Sequence, residues 1–206
     1  AIDRIVPKVG ESLFIAWAGT VIGAFFSFPV AFLAANNFSL NTFSRVTKQI
    51  LNVIRAFPEL ILAFVLLPIT GLGPLTGTLA VGIHSIGTLG KLSSEVIEGI
   101  DEGPLESIKS SGGSKLNELF FGVIPQVMPT ITSYWLYRFE INLRASAVLG
   151  VVGAGGVGAE LINQLRFRDF PRAGTVLVVT IVMVLIVDAI SAAIRRRIIK
   201  GRDIKV

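Results

Sequence analysis

Residues 12–35 read SLFIAWAGTVIGAFFSFPVAFLAA, 24 positions without one Asp, Glu, Lys or Arg. About 20 apolar residues in helical form cross the hydrocarbon core of a bilayer, so this stretch decides the fold class: all-α and integral to a membrane. Working outward, no charged residue occurs between Glu11 and Arg45, or between Glu59 and Lys91. Three further apolar runs follow, Leu119 to Tyr137, the shorter Ala145 to Ala159, and Ala173 to Ile194 with Asp188 as its only charge. Only 16% of the chain is charged, 52% is hydrophobic and the mean hydropathy is +0.72, whereas an average soluble domain carries about 25% charged residues. Buried helices of soluble proteins seldom run beyond about 20 residues, which excludes a soluble core as the home of runs this long.

The formal charge of +5 could suggest nucleic acid, but the basic residues form no single face. They sit at the ends of the apolar runs and in the tail Arg195, Arg196, Arg197, Lys200, Arg202, Lys205. That pattern fits the positive-inside rule and not a phosphate-binding stripe, so no nucleic-acid partner is expected. Without cysteine, and with His84 as the sole histidine, the chain has no disulfide framework, no Cys nucleophile and no plausible metal site.

Five spans are predicted, at 12–35, 58–70, 75–90, 119–144 and 173–194, in one domain covering residues 1–206. Residues 1–11 read as a short amphipathic lead-in. Asn36 to Ala56 carries Arg45, Lys48 and Arg55 with Phe43, Val46, Ile50, Val53 and Ile54 near helical spacing, and reads as an interfacial helix on the cytoplasmic side. Pro58 opens the second span, and Gly71-Leu-Gly-Pro74 makes a turn. If Arg195-Arg196-Arg197 is cytoplasmic, residues 37–57 and 91–118 are inside too. Arg166, Arg168 and Arg172 then fall outside, against the charge rule.

The polar loop 91–118 differs from the rest in being rich in Gly, Ser and charges of both signs. Glu106-Ser-Ile-Lys-Ser-Ser-Gly112, followed by Ile124-Pro125, spaces a Glu, a Gly and a Pro so that Gly112 with Gly113 permits a helix-breaking turn and Pro125 starts the next span. This resembles the Glu-Ala-Ala loop of ABC importer permeases, with Ser107 and Ile108 in place of the alanines. Glu102-Gly-Pro104, Gly122-Val-Ile-Pro-Gln-Val-Met-Pro129, Tyr137-Arg-Phe-Glu140, Gly71-Leu-Gly-Pro74, His84, Gly90-Lys-Leu-Ser93 and Gly150-Val-Val-Gly-Ala-Gly-Gly-Val-Gly158 extend the match. The chain resembles the phosphonate-type permease family of binding-protein-dependent importers over nearly its whole length.

The resemblance implies a type I ABC importer permease fold in the bacterial inner membrane and a phosphonate, phosphite or related phosphorus oxyanion as solute. It implies a second permease subunit, identical or paralogous, two cytoplasmic ATP-binding subunits that hold ATP and magnesium, and an external solute-binding protein. This chain itself would carry no cofactor and no catalytic residue. Coupling to the ATPase falls to Glu102, Glu106, Ser110, Gly112, Gly113, Lys115 and Pro125. Family members usually have a further span near the N-terminus, which implies that Ala1 is not the native start. A methionine-type permease shares the Gly-rich segment and stays open as an alternative, as does a gradient-driven secondary transporter.

Gly153, Gly155 and Gly158 satisfy G-x-G-x-x-G, which on a strand-to-helix turn would cradle a pyrophosphate. Here the motif precedes a spanning helix, so the better reading is a bend or close helix packing. Gly87-Thr-Leu-Gly90-Lys91 lacks the P-loop spacing, and no ATP site is encoded. Arg138, Glu140 and Arg144 interrupt an apolar span, where a charge costs at least about 2.5 kcal/mol. The expectation is an i, i+4 pair between Glu140 and Arg144, with Arg138 facing the path of an anionic solute. The alternative is arginines snorkelling to the interface. His84 and Tyr134 join the expected pathway; for His84 the favoured reading is a hydrogen bond between helices, and Tyr134, with Trp17, Trp135 and Tyr137, reads also as an interface anchor. Asp188 is expected to cap or pair.

Overall fold

The computed structural model describes residues 2–203, and every regular element among them is helical. In order these are α1 (Ile2–Ala34), α2 (Asn41–Ala56), α3 (Glu59–Thr70), α4 (Pro74–Glu98), α5 (Gly103–Ser110), the single turn α6 (Lys115–Asn117), a π-helical turn (Glu118–Val123), α7 (Ile124–Leu149), a 3₁₀ turn (Gly150–Val152), α8 (Gly156–Arg166) and α9 (Phe170–Asp203). Of the basic tail, Lys205 lies outside the described residues. Among the described residues, three helical runs are long and apolar enough to cross a membrane, Ile5–Ala34, Lys115–Arg166 and Phe170–Ile198, and a fourth if the bent pair α2 and α3 is one span. The first helix starts at Ile2 and not near Ser12, because the polar lead-in continues the same helix, with Lys8 and Glu11 paired at 2.6 Å on one face.

The most buried helix is α4, although its sequence is the richest in Gly, Ser and Thr. Small residues let helix backbones close in on one another where lipid gives no hydrophobic drive, and α4 uses them on two sides. Toward α1, a Cβ on Gly23 would lie 2.4 Å from the Cβ of Ser85. Toward α2, a Cβ on Gly87 would lie 2.9 Å from the backbone nitrogen of Arg55. Both approaches need glycine, since real Cβ contacts do not occur at such distances. α1 and α4 run parallel: Gly19 meets Val81 near one end, and Ala35 joins Ile97, Val123 and Val127 in an apolar cluster near the other.

α2 runs antiparallel to α4, with Leu51 on Gly90 and Ile54 on Gly87. It is therefore a packed member of the bundle and not the separate interfacial helix expected from its amphipathic pattern. The chain then breaks at Phe57-Pro58, where α3 departs at 87° from α2. Proline at 58 forces its predecessor out of the helical region, and Phe57 is extended at φ −82°, ψ 122°. At the base of the bundle, the Glu98 carboxylate accepts from the Asn36 amide at 2.8 Å and from Lys48 Nζ at 2.6 Å, joining α1, α2 and α4. Ser44 Oγ donates to Ala34 O, closing the turn between α1 and α2.

α7 leads from this base to the far end, and α9 returns beside it, as the pairs Arg144–Asp188 and Arg195–Glu140 show. Between them α8 folds back on α7. A Cβ at Gly158 would stand 1.8 Å from Ala147 O, and Gly153, Gly155 and Gly156 all have φ between 72° and 82°. Only glycine adopts that backbone without penalty.

Candidate functional site

Just past the Phe57-Pro58 break, Glu59 occupies the first turn of α3, where the helix dipole favours a carboxylate. Arg138 of α7 donates to it through Nη2 at 2.9 Å and, through Nε, to Ser85 Oγ on α4 at 2.9 Å. The same Nη2 lies 2.5 Å from His84 Nδ1, and His84 Nε2 lies 3.3 Å from Arg55 O, a carbonyl left open at the broken end of α2. A ring carrying its proton on Nε2 meets both contacts, accepting from the guanidinium and donating to the carbonyl. Glu59 Oε1, 3.0 Å from Nδ1, is then a second acceptor served by the same guanidinium. Beyond Ser85, Asn142 Nδ2 donates to Ser85 Oγ at 3.1 Å and to Thr20 Oγ1 at 2.8 Å, and Thr20 returns its proton to Ala16 O at 2.7 Å. A polar chain thus crosses the bundle through α3, α4, α7 and α1.

This geometry gives Arg138 a partner within the chain: its residue is only 4% exposed, and its charge is matched by Glu59. In the sequence Glu59 marks only the edge of an uncharged gap. The available signal was its place directly after Pro58, at the start of a span that Arg138 could reach.

The expected pairing of Glu140 with Arg144 is corrected by the structure. Glu140 accepts from Arg195 at 2.8 Å, and Arg144 donates to Asp188 at 2.9 Å, both across to α9. An i, i+4 pair contributes only about 0.2–0.5 kcal/mol, and buried Glu140 does better with the cation of the neighbouring helix. The Arg195 guanidinium also lies 5.6 Å from the Tyr137 ring centroid, within cation–π range. Tyr134 is half-buried on α7. Trp135 packs edge-on against Phe28 at 6.4 Å in the core between α1 and α7, whereas Trp17 is exposed.

At the base, α5 begins with Pro104 in its first turn and Gly103 N donating to Asp101 Oδ1 at 3.0 Å. It ends in a Schellman turn: Gly113 N donates to Ile108 O at 2.9 Å and Gly112 N to Lys109 O at 3.0 Å, with Gly112 at φ 77°. Leu105 and Ile108 lean on Gly122 of the π-helical turn. Glu102, Glu106 and Ser110 stay exposed, and Ser110 Oγ donates only to Glu106 O within its own helix. Lys115 opens α6 after the cap Ser114, and Pro125 lies in the first turn of α7, both exposed. Leu116, Phe120 and Phe121 are exposed beside them, Phe121 at 74%. This end therefore shows a carboxylate pair and an apolar patch with no partner inside the chain among the described residues.

Gly153 and Gly155 sit in the turn between α7 and α8, and Gly158 lies in the first turn of α8. The Val157 amide that would face a phosphate is taken by Ser12 Oγ of α1 at 2.9 Å. No strand precedes the motif among the described residues, so the arrangement a dinucleotide requires is missing there.

An all-helical membrane bundle with a broken span and a protruding helical loop is that of a type I importer permease. Solved structures agree on the fold. An inward-facing methionine ABC transporter matches with a TM-score of 0.79 at 20% identity, over 94% of this chain and 95% of that one. An amino acid ABC transporter crystallised with histidines matches at 0.76 and 21% identity, over 94% and 93%. The chain belongs to the binding-protein-dependent transport system inner membrane component family, whose model matches residues 27–200. Among curated relatives, a phosphite transport system permease protein of Stutzerimonas stutzeri is 40% identical over 90% of this chain and 68% of its own length. A phosphate-import permease protein of Mycolicibacterium smegmatis is 41% identical over 95% of this chain and 39% of its own. A probable D-methionine transport system permease protein of Haemophilus influenzae is more distant, at 27% over 84% and 88%.

Proposed function

We propose that this chain is the membrane-spanning subunit of an ATP-driven importer for phosphite, phosphonate or a related phosphorus oxyanion. The observation that carries the reading is the exposed end formed by α5 and the π-helical turn, in a family of binding-protein-dependent permeases whose more similar relatives are named for phosphorus oxyanions. On this reading two ATP-binding subunits, which hold the nucleotide and magnesium, dock on Glu102, Glu106 and the Leu116, Phe120 and Phe121 patch. A second permease subunit lines the central path, and an external binding protein delivers the solute. α5 leans on the π-helical turn, the turn is continuous with α7, and α7 grips α3 through Arg138 and Glu59. Movement of the docked ATPases reaches the broken span by that route.

The test is reconstitution of the whole complex in liposomes with its binding protein. Uptake of phosphite or methylphosphonate that needs ATP and stops with vanadate is expected. Uptake of methionine alone would replace the substrate class, and uptake driven by an ion gradient without ATP would sink the reading.

A further inference from the structure

Two helices of this chain end in the same hydrogen-bonded turn but with different residues at its strained position. After α5 the left-handed position belongs to Gly112. After α8, Arg168 N donates to Leu165 O at 3.0 Å and Asp169 N to Gln164 O at 2.9 Å, the two bonds of a Schellman turn. Here the left-handed residue is Arg168, at φ 57°, and among the described residues it is the sole non-glycine with positive φ. A side chain in that region costs about 1–2 kcal/mol, and glycine would avoid the cost. Backbone strain kept where a cheaper residue exists points to a use for the side chain.

The surroundings say what use. Arg166 and Arg168 are exposed and make no ion pair among the described residues, while Arg172 pairs with Asp169 at 3.1 Å and Asp169 caps α9 through Oδ1. Interleaved with them, Phe167 is 79% and Phe170 65% exposed. The turn feeds α9, the least buried of the candidate spans, and stands at the end of the bundle away from α5. Aromatic rings at the end of such a span sit at headgroup level, and guanidinium groups pair with phosphate by charge and by matched geometry.

We propose that the turn Leu165–Arg172 is a binding site for anionic phospholipid, with Phe167 and Phe170 set among the acyl chain ends and Arg166 and Arg168 on the headgroup phosphate. A basic residue near an anionic surface contributes about 1 kcal/mol, or about fivefold in affinity. The full chain, purified in detergent, is titrated with phosphatidylglycerol and with phosphatidylcholine, and bound lipid is counted by native mass spectrometry. Wild type is expected to prefer phosphatidylglycerol. Arg168→Gly, which relieves the backbone, keeps or raises the thermal midpoint yet loses about fivefold of that preference, and R166Q/R168Q loses about 25-fold; Arg168→Lys retains most of it. Equal affinity of wild type for the two lipids overturns the proposal, as does an unchanged preference in Arg168→Gly. Displacement of bound lipid by millimolar inorganic phosphate also overturns it, in favour of a free-anion site. Loss of binding-protein affinity in Arg168→Gly with lipid preference intact overturns it in favour of a protein dock.

Discussion

At the scale of single residues, Arg138 and Glu59 matter to one another more than either matters alone. Removing one member of a buried ion pair leaves the other charge without compensation, at about 3–5 kcal/mol. Glu59→Gln and Arg138→Gln are each expected to lower the thermal midpoint sharply in detergent. The double variant is expected to be less destabilised than the sum by more than about 1 kcal/mol; simple additivity in that cycle would disprove the junction. Glu98 is a second case, beyond the apolar stretch of α4. Burial pushes its carboxyl up, but Lys48 and the Asn36 amide outweigh that and hold it below the usual range. A carboxylate lowered in the folded state adds stability that is present above its unfolded value, about 4.3, and is lost as pH falls through the folded one. Thermal midpoints measured from about pH 5 downward should fall more steeply in wild type than in Glu98→Gln; parallel curves would remove Glu98 from the account.

At the scale of elements, glycines separate into those that shape a contact and those that do not. Gly158→Ala places a Cβ against Ala147 O, so α8 must swing away from α7, and a loss of folded protein by fluorescence-detected size exclusion is expected. Gly174→Ala, in α9 with nothing within 4 Å, should be neutral or gain up to about 1 kcal/mol from helix propensity. Equal behaviour of the two would contradict the packed bend. These differences also mark what was legible in the sequence. The charge-free run 12–35, the Pro58 opening and the glycine-rich bend could be read directly, because bilayer length and backbone sterics act locally. The role of α2 could not: its amphipathic stripe suits a membrane surface and a bundle flank equally, and only Leu51 meeting Gly90 decides between them. The partners of Arg138, Glu140 and Arg144 were hidden for the same reason, since each lies across a helix boundary that periodicity within one helix cannot reach.

At the scale of the molecule, the proposed function requires the base of the bundle to give up its exposed apolar surface, Leu116, Phe120 and Phe121, to a partner while passing force inward. Phe121 is the sharpest probe of that requirement, because its side chain contributes little to the fold and lies within the π-helical turn that joins α5 to α7. Phe121→Ser should leave the stability of the isolated chain within about 0.5 kcal/mol of wild type, as surface substitutions do. Truncating an aromatic anchor at an interface costs roughly 2 kcal/mol or more, so co-purification of the ATP-binding subunits should fall by about thirtyfold or more in affinity. Charge reversal at Glu106, exposed on α5, tests the same surface independently of shape. If both variants assemble and hydrolyse ATP at the wild-type rate, docking lies elsewhere on the molecule. If Phe121→Ser assembles at high subunit concentration but hydrolyses ATP without solute uptake, the π-helical turn transmits the movement as well as receiving the partner.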